Sequence, residues 1–600
     1  MLRRTRRPLC LLEPVAARRG RLRRPRDRGF VLAWLATMMV TLLGFAGFAV
    51  DLGHWYLTAS RVQNAADAAA LGGVVFLPSD LATATDVATE LAVSHGFDAS
   101  GVTVSQGERS NQLEVAIDTD VDNFFVSLFG LSTTSIGRDA LAEFEGPVPM
   151  GSPESYLGDD PESGNNPDFW MNNGSLRNNQ GNGDRFQAGN CNSSAAPCVS
   201  GTPSSGNYAN NGYFFVVEVT AAMASEPLVI QAFDPAFYEV GDVCERDQNA
   251  IWGQSGQETA NADALRAAVA AEPLVPAGWY DDAESRYERG NTDWCTGDWR
   301  AGASTGGGGP IDTTFIVRSP DDTPWLDSDN PVIDRPGCAP VQFEGHPEDW
   351  MDDETVWERL TPDGDPNGEW RVDVDEQTFA NTFRRWVTVC EIPAAQVQPG
   401  RYLLQVRTNS ALGAPLVSDT SVDTWGHNRY AIRSGWGDPA DGDTDGIRMY
   451  ANGRFPIYAN ADSADTTFYL ARVLPGATQR VLNLTLWDIS DGGSSGTLRI
   501  RPPVEATVGG ANLDSFTGCT FEKSGGSWST NSSECSFSFS SSALNADLVT
   551  VGVPIPDGYD CDETSATGCW VYVEAPFNGS VNDTTTWSAD IIGDPVRLVE

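Results

Sequence analysis

The residues best suited to chemistry in this 600-residue chain are acidic. Asp441, Asp443 and Asp445 occupy positions 1, 3 and 5 of a D-x-D-x-D-G run closed by Gly446. Carboxylates at that spacing can converge on one calcium ion, because glycine at position 6 lets the chain turn sharply. An EF-hand also needs a bidentate Glu at position 12, where Asn452 stands, and the flanks read as strands rather than helices. The run is a candidate calcium loop within a β domain, or an acidic surface turn, since Asp and Gly are turn formers. Asp363, Asp365 and Asn367 repeat the spacing as D-x-D-x-N-G, with Pro366 inside the loop and Val374 at position 12. The same two readings apply there. Calcium is thus a candidate ligand, and no cofactor is required by the sequence.

Other chemistry is poorly represented. The chain has no H-E-x-x-H zinc motif and no Walker loop, and His54, His95, His346 and His427 share no metal-ligand spacing. Glycoside hydrolysis needs two carboxylates set across a sugar cleft. Runs such as Glu348-Asp349 and Asp352-Asp353-Glu354 say little about that in a chain with 82 acidic residues. Trp279, Tyr280, Trp294 and Trp299 could form a platform for sugar rings, although core packing is the commoner use of such side chains. The expectation is a protein that is not an enzyme.

Cysteine usage bears on compartment. Cys10 stands apart from Cys191, Cys198, Cys244, Cys295, Cys338, Cys390, Cys519, Cys535, Cys561 and Cys569. An even set of ten, without any C-x-x-C, suggests up to five disulfides in an oxidising compartment. Short spacing favours Cys191–Cys198, Cys519–Cys535 and Cys561–Cys569, which leaves Cys244–Cys295 and Cys338–Cys390.

The element that positions everything else runs from Phe30 to Pro78. Phe30 to Val50 carries no charge, and about 20 apolar residues suffice for a helix to cross a bilayer. Beyond Val50 polar residues interleave with Leu52, Trp55, Leu57, Val62, Ala65, Ala66, Ala69 and Leu71 at spacings of three and four. That spacing predicts the same helix continuing as an amphipathic rod, with Trp55 and Tyr56 placed as interfacial anchors and Gly72-Gly73 as its end. A cleaved signal peptide is the other reading, with Gly47 and Ala49 as the small residues before the cut. Residues 1–28 hold eleven Arg against Glu13 and Asp27, a net of +9, so residues 29–600 carry −52 in a chain whose net charge is −43. A short basic flank stays cytoplasmic, which puts the acidic remainder outside. The same negative charge argues against a nucleic-acid partner.

The run GFAVDLGHWYLTASRVQNAADAAALGG resembles the N-terminal signature of TadG-like proteins of the Tad (Flp-type) pilus-assembly system. The shared pieces are Gly47, Asp51-Leu52-Gly53, Trp55-Tyr56 and Leu57 to Ala70 with its Gln63-Asn64-Ala65-Ala66-Asp67 core. Leu113–Ile117, Phe124-Phe125 and Leu128-Phe129-Gly130 extend the likeness to about Glu145. The resemblance implies a bacterial single-pass membrane protein of pilus assembly or secretion, with other Tad components or surface polymers as partners. Pilin-like precursors of such systems are cut after a Gly with Glu five residues later. Here Trp34 follows Gly29 at that distance, which implies a permanent anchor. TadG-like proteins often carry a von Willebrand A domain, but Asp488-Ile489-Ser490 lacks the second Ser of its metal motif and the strand–helix alternation is missing. The alternative is a carbohydrate-binding or carbohydrate-active surface protein on a TadG-like anchor.

The remaining expectations concern organisation. Residues 1–28 form a basic cytoplasmic tail, and 29–145 the TadG-like region with its transmembrane helix at 30–50 and a small α+β module. In that module Ala82–Ser94 reads as a helix stopped by Gly96, and Val102–Ser105, Leu113–Ile117 and Ala140–Phe144 as strands. Asn123 to Phe129 is an aromatic cluster that could pack on the helix, and Asp118, Asp120 and Asp122 share one strand face. Residues 146–210 are rich in Gly, Asn and Ser and read as a linker. Alternating β-branched and aromatic runs then predict one or two extracellular β-sandwich, jelly-roll-like domains. The first spans 211–408 with insertions, a connector with the acidic loop spans 409–454, and the second spans 455–600. Phe214–Val219 and Leu228–Pro235 resemble Phe468–Val473 and Leu482–Ile489. The WVTVCEIP run ending at Pro393 likewise resembles the WVYVEAP run ending at Pro576. These pairs suggest a duplication, or the chance likeness that alternation gives any two sheets.

Overall fold

The computed structural model describes residues 30–77, 80–109, 111–158, 169–174, 183–186, 211–220, 226–233, 313–343 without 322, 324 and 325, 386–408, 427–461 without 442, and 464–599 with six short interruptions at 490–494, 524–527, 541–542, 566–567, 578–580 and 594–595. The chain divides into two compact units, residues 1–64 with 117–138, and residues 65–116 with 139–600.

Helix α1, Phe30–Gly73, is a single 44-residue helix. Its first part is long and apolar enough to cross a membrane. Phe30, Leu32, Trp34, Leu35, Met39 and Leu43 are all exposed there, as a helix that crosses a membrane requires. Past Val50 the pattern changes as its spacing predicts, and Val62, Ala65, Ala66, Ala69 and Ala70 are fully buried. Helix α2, Leu81–Ser94, starts on Asp80, whose carboxylate accepts from the Thr83 amide at 2.9 Å and the Thr83 hydroxyl at 2.7 Å. Its buried residues Ala84, Ala88 and Ala92 recur every four positions, one stripe of small side chains. That stripe lets the end of α1 come close. A Cβ on Gly73 would lie 2.6 Å from the Ala84 carbonyl oxygen and 3.0 Å from the Ala88 methyl.

The strands follow. The module holds β1 Val102–Gln106, β2 Gln112–Asp122 and β3 Thr133–Phe144. Residues expected to be a linker supply β4 Pro149–Met150, β5 Tyr156–Leu157 and β6 Phe169–Gly174. The first β block holds β7 Tyr213–Val219, β8 Leu228–Phe233, β9 Thr313–Arg318, β10 Val341–Phe343, β11 Trp386–Ile392 and β12 Gly400–Thr408. Next come β13 His427–Trp436, β14 Ile447–Asn452 and β15 Arg454–Ala461. The second block begins with β16 Ala464–Arg472, β17 Val481–Ile489, β18 Gly496–Arg501, β19 Thr507–Val508, β20 Ala511–Asn512 and β21 Thr520–Lys523. It ends with β22 Trp528–Asn531, β23 Ser536–Phe539, β24 Leu544–Pro554, β25 Tyr559–Asp560, β26 Trp570–Phe577, β27 Val581–Ile592 and β28 Val596–Val599.

Two large antiparallel sheets form the β-sandwich. One runs β10-β9-β12-β7-β14-β4-β16-β26-β18-β23-β22, the other β11-β8-β13-β6-β15-β27-β17-β24-β21. Both sheets therefore cross from the first block into the second, and one hydrophobic core extends from Val148 to Ala589. The linker residues lie at the seam. Met150 pairs with Ala451 on one side and Ala471 on the other, and Met171 pairs with Tyr430 and Ile457. Low apolar periodicity hid these short strands, because two to six residues are too few to show a period.

The duplication has a topological counterpart. Strands β7 to β13 occur in the order and sheet positions of β16, β17, β18, β23, β24, β26 and β27. The pairing of β7–β8 with β16–β17 follows the sequence likeness. The WVTVCEI likeness does not: β11 is the edge strand beside β8, whereas β26 lies between β16 and β18, the place β12 takes in the first half. Alternation at period 2 makes unrelated strands look alike. Disulfides Cys519–Cys535 and Cys561–Cys569 form as spacing suggested, and Cys338–Cys390 forms as one of the pairs left over. Cys191, Cys198, Cys244 and Cys295 lie outside the described residues.

One strand was not foreseen. The sequence suggests Thr584–Ile592 as the last strand, but β28 follows it and pairs with β3, placing Arg597 opposite Glu143 in the sheet β1-β2-β3-β28.

Candidate functional site

In the first unit, three residues of α1 spaced four apart hold the segment between β2 and β3. Trp55 donates its indole N–H to Asn123 Oδ1 at 2.7 Å. Asp51, fully buried, accepts the backbone N–H groups of Phe124, Phe125 and Val126 at 2.8, 2.8 and 2.7 Å. Gly47 gives room to the Phe125 ring, since a Cβ there would lie 2.7 Å from its Cγ and Cδ1. Positions i, i+4 and i+8 fall on one helix face, so these contacts descend through two turns, about 12 Å of helix. Asn123 closes the segment on itself: its side-chain amide donates to the Leu131 carbonyl at 3.0 Å and its backbone N–H to Ser132 at 2.9 Å. Phe124 to Phe129 thus rests on α1, with the His54 and Phe124 rings 5.1 Å apart. Asp118, Asp120 and Asp122 are exposed on one face of β2.

Sequence reasoning marked Gly47, Asp51 and Trp55 as one pattern without a mechanism. It set the Asn123–Phe129 cluster on the Ala82–Ser94 helix; the cluster is bonded to α1 instead, because a sequence does not say which helix face a loop will meet.

In the second unit a buried carboxylate ties the module to the sandwich. Glu143, fully buried on β3, accepts from Gln112 at 2.8 Å and pairs with Arg109 at 3.3 Å, Arg597 at 2.8 Å and Arg480 at 3.8 Å. Arg480 precedes β17 and Arg597 lies on β28, so one carboxylate joins three distant parts of the chain. Gly476 permits this approach, since a Cβ there would lie 3.0 Å from Glu143 Oε1. Neighbouring Glu145 lines a cleft of about 120 Å³ together with Phe76, Asp80, Glu218, Arg401 and Arg472. Burial pushes its carboxyl up to about 7; the Glu143 charge adds to this, and Arg480, Arg597 and Arg109 oppose it. None of this set was singled out from sequence. The only hint is a charged residue within the buried ALAEF end of β3.

Of the two acidic loops, only the one at Asp441 falls partly among the described residues. Asp443 and Asp445 are exposed in the turn between β13 and β14. Trp436 claims that turn's main chain: its backbone N–H donates to the Asp443 carbonyl at 2.9 Å and its indole N–H to the Asp445 carbonyl at 2.7 Å. Gly446 adopts φ +75°, the turn expected of it. The Asp441 side chain lies outside the described residues, as do Asp363, Asp365 and Asn367 and the aromatic residues Trp279, Tyr280, Trp294 and Trp299. Among the described residues, no three His, Cys, Asp or Glu side chains are grouped to hold a metal ion.

No curated protein and no solved structure matches this chain. Residues 29–87 match the family described as putative Flp pilus-assembly TadE/G-like, a stretch that covers α1 and half of α2 and stops short of the Phe124 segment. The helix that holds Gly47, Asp51 and Trp55 therefore lies within a stretch similar to TadE/G-like proteins of Flp pilus assembly.

Proposed function

We propose that this protein is a membrane-anchored, non-enzymatic component of Flp-type pilus assembly or secretion. Residues 1–28 stay in the cytoplasm, and the β-sandwich is displayed outside for assembly or adhesion. The observation that carries this reading is the coincidence of the TadE/G-like stretch with a helix that continues unbroken from an apolar span into a packed module. The charge asymmetry supports the orientation, with +9 before the span and −52 after it. Three disulfides in the sandwich fit an oxidising compartment. Contact with partners falls to the sandwich surface, either other pilus components or surface polymers. Calcium at the Asp441 loop would be an accessory to such contact, because Asp443 and Asp445 face solvent.

Topology and phenotype test this together. Alkaline phosphatase fused after Glu600 should be active, and green fluorescent protein there dark. Removing Arg3 to Arg28 should scramble that result. Disrupting the gene should reduce surface pili or secretion. A cytoplasmic sandwich, or normal pili and secretion in its absence, overturns the proposal.

A further inference from the structure

Among the described residues, nothing covers the apolar loop between β2 and β3. Leu128 and Phe129 are 81% and 85% exposed, Leu131 60% and Phe124 58%. Such a cluster in water is a liability, and contiguous apolar patches of this kind mark interaction surfaces. Its position along α1 says what it meets. The chain passes from Asn123 beside Trp55, to the Phe124–Val126 amides at Asp51, to the Phe125 ring on Gly47. Gly47 lies inside the uncharged run that ends at Val50, so the loop descends to the level of the hydrocarbon. Phe45, Phe48 and Val50 are exposed on the same stretch of helix that carries Gly47 and Asp51.

The backbone is prepared for that place. Lipid cannot satisfy peptide N–H groups, so irregular chain enters a membrane boundary only with its donors already bonded. Here Asp51 takes three of them, Ser132 takes that of Asn123, and the 3-10 turn at Val126–Phe129 takes those of Leu128 and Gly130. Gly130, at φ +91°, ends the turn.

We propose that the Phe124–Leu131 loop is a second membrane contact, inserting Leu128 and Phe129 into the acyl–headgroup boundary of the leaflet where α1 emerges. It rests on the reading of α1 as a membrane span. The loop would fix the tilt and rotation of the module on the bilayer, as one helix alone does not.

The test uses the full chain in vesicles of phosphatidylethanolamine and phosphatidylglycerol, with the photo-crosslinking amino acid p-benzoylphenylalanine in place of Phe129. That replacement keeps an aromatic ring at an exposed site. Matched chains carry the same group at Leu42 in the span and at Val504, 84% exposed in the sandwich. Lipid adducts at Phe129 approaching those at Leu42, and at least tenfold above those at Val504, are expected. Adducts at Phe129 to polypeptide instead of lipid would make the loop a docking site for a second copy or another protein, and would overturn the proposal. Lipid adducts at Leu42 with none at Phe129 would overturn it while leaving the span intact. Absence at both positions would remove the span and the loop contact together.

Discussion

Replacing Asp51 by Ala should release the Phe124–Leu131 loop without unfolding the sandwich. The carboxylate accepts three amides at 2.7–2.8 Å from a fully buried position. Hydrogen bonds to a charged group contribute ~1.5–3 kcal/mol each, so simple addition gives ~4.5–9 kcal/mol. The measured loss will be smaller, because the loop can open and let water satisfy the freed amides; its cost is capped by the free energy of that local opening. A loss of ~3 kcal/mol corresponds to roughly 100-fold faster amide exchange. The assay is hydrogen–deuterium exchange by mass spectrometry on the full chain in lipid nanodiscs, read at peptides covering residues 119–131. Asp51→Asn keeps one acceptor oxygen but loses the charge, and should fall between the two, at roughly tenfold. Exchange of the Phe124–Val126 amides at the native rate in Asp51→Ala would refute the reasoning, since those amides would then owe their protection to something else.

Gly47→Ala should weaken the same loop by ~1–3 kcal/mol, because the new methyl displaces the Phe125 ring. Gly53→Ala, which meets nothing within 4 Å, should leave the loop's exchange unchanged; equal effects of the two would count against the docking geometry. Glu145 gives a pH dependence. Its folded carboxyl sits at about 7 against 4.5 for the free group, so the folded state binds the proton more tightly and stability from this group falls as pH rises between those values. Glu145→Gln should match the native chain near pH 4 and exceed it by at most ~3 kcal/mol above pH 7, less because the side chain is only partly buried. A difference in urea midpoint that is constant with pH would contradict this. Glu143→Ala leaves Arg109, Arg480 and Arg597 without their shared carboxylate, a change of the kind that costs ~3–5 kcal/mol. Strand β28 should then detach, and carboxypeptidase should trim residues 596–600 faster; unchanged trimming would show that backbone pairing alone holds the strand.

The elements were largely legible in the sequence, because hydrophobic periodicity is local. The uncharged run, the rod after Val50, α2 and the alternating strands each announce themselves within a dozen residues. Cysteine spacing gave the Cys519–Cys535 and Cys561–Cys569 bridges, because a loop of 16 or 8 residues brings its own ends together. Strands β4 and β6 were hidden, being short and set in Gly- and Asn-rich chain. Their burial comes from neighbours more than 200 residues away, Met150 beside Ala451 and Met171 beside Tyr430.

By itself, then, the sequence determined an acidic β-rich chain carried on a Tad-like helix, with Gly47, Asp51 and Trp55 in register on it. Only the tertiary structure decided what that register receives. A helix face states which side chains it offers; it does not state which distant loop has three free amides to meet a carboxylate. The same holds for Glu143, an ordinary strand residue until β28 returns to set Arg597 beside it. The choice between one sandwich and two was likewise made in the tertiary structure, because sheet edges pair wherever chain geometry brings them together, and backbone hydrogen bonds carry no sequence label.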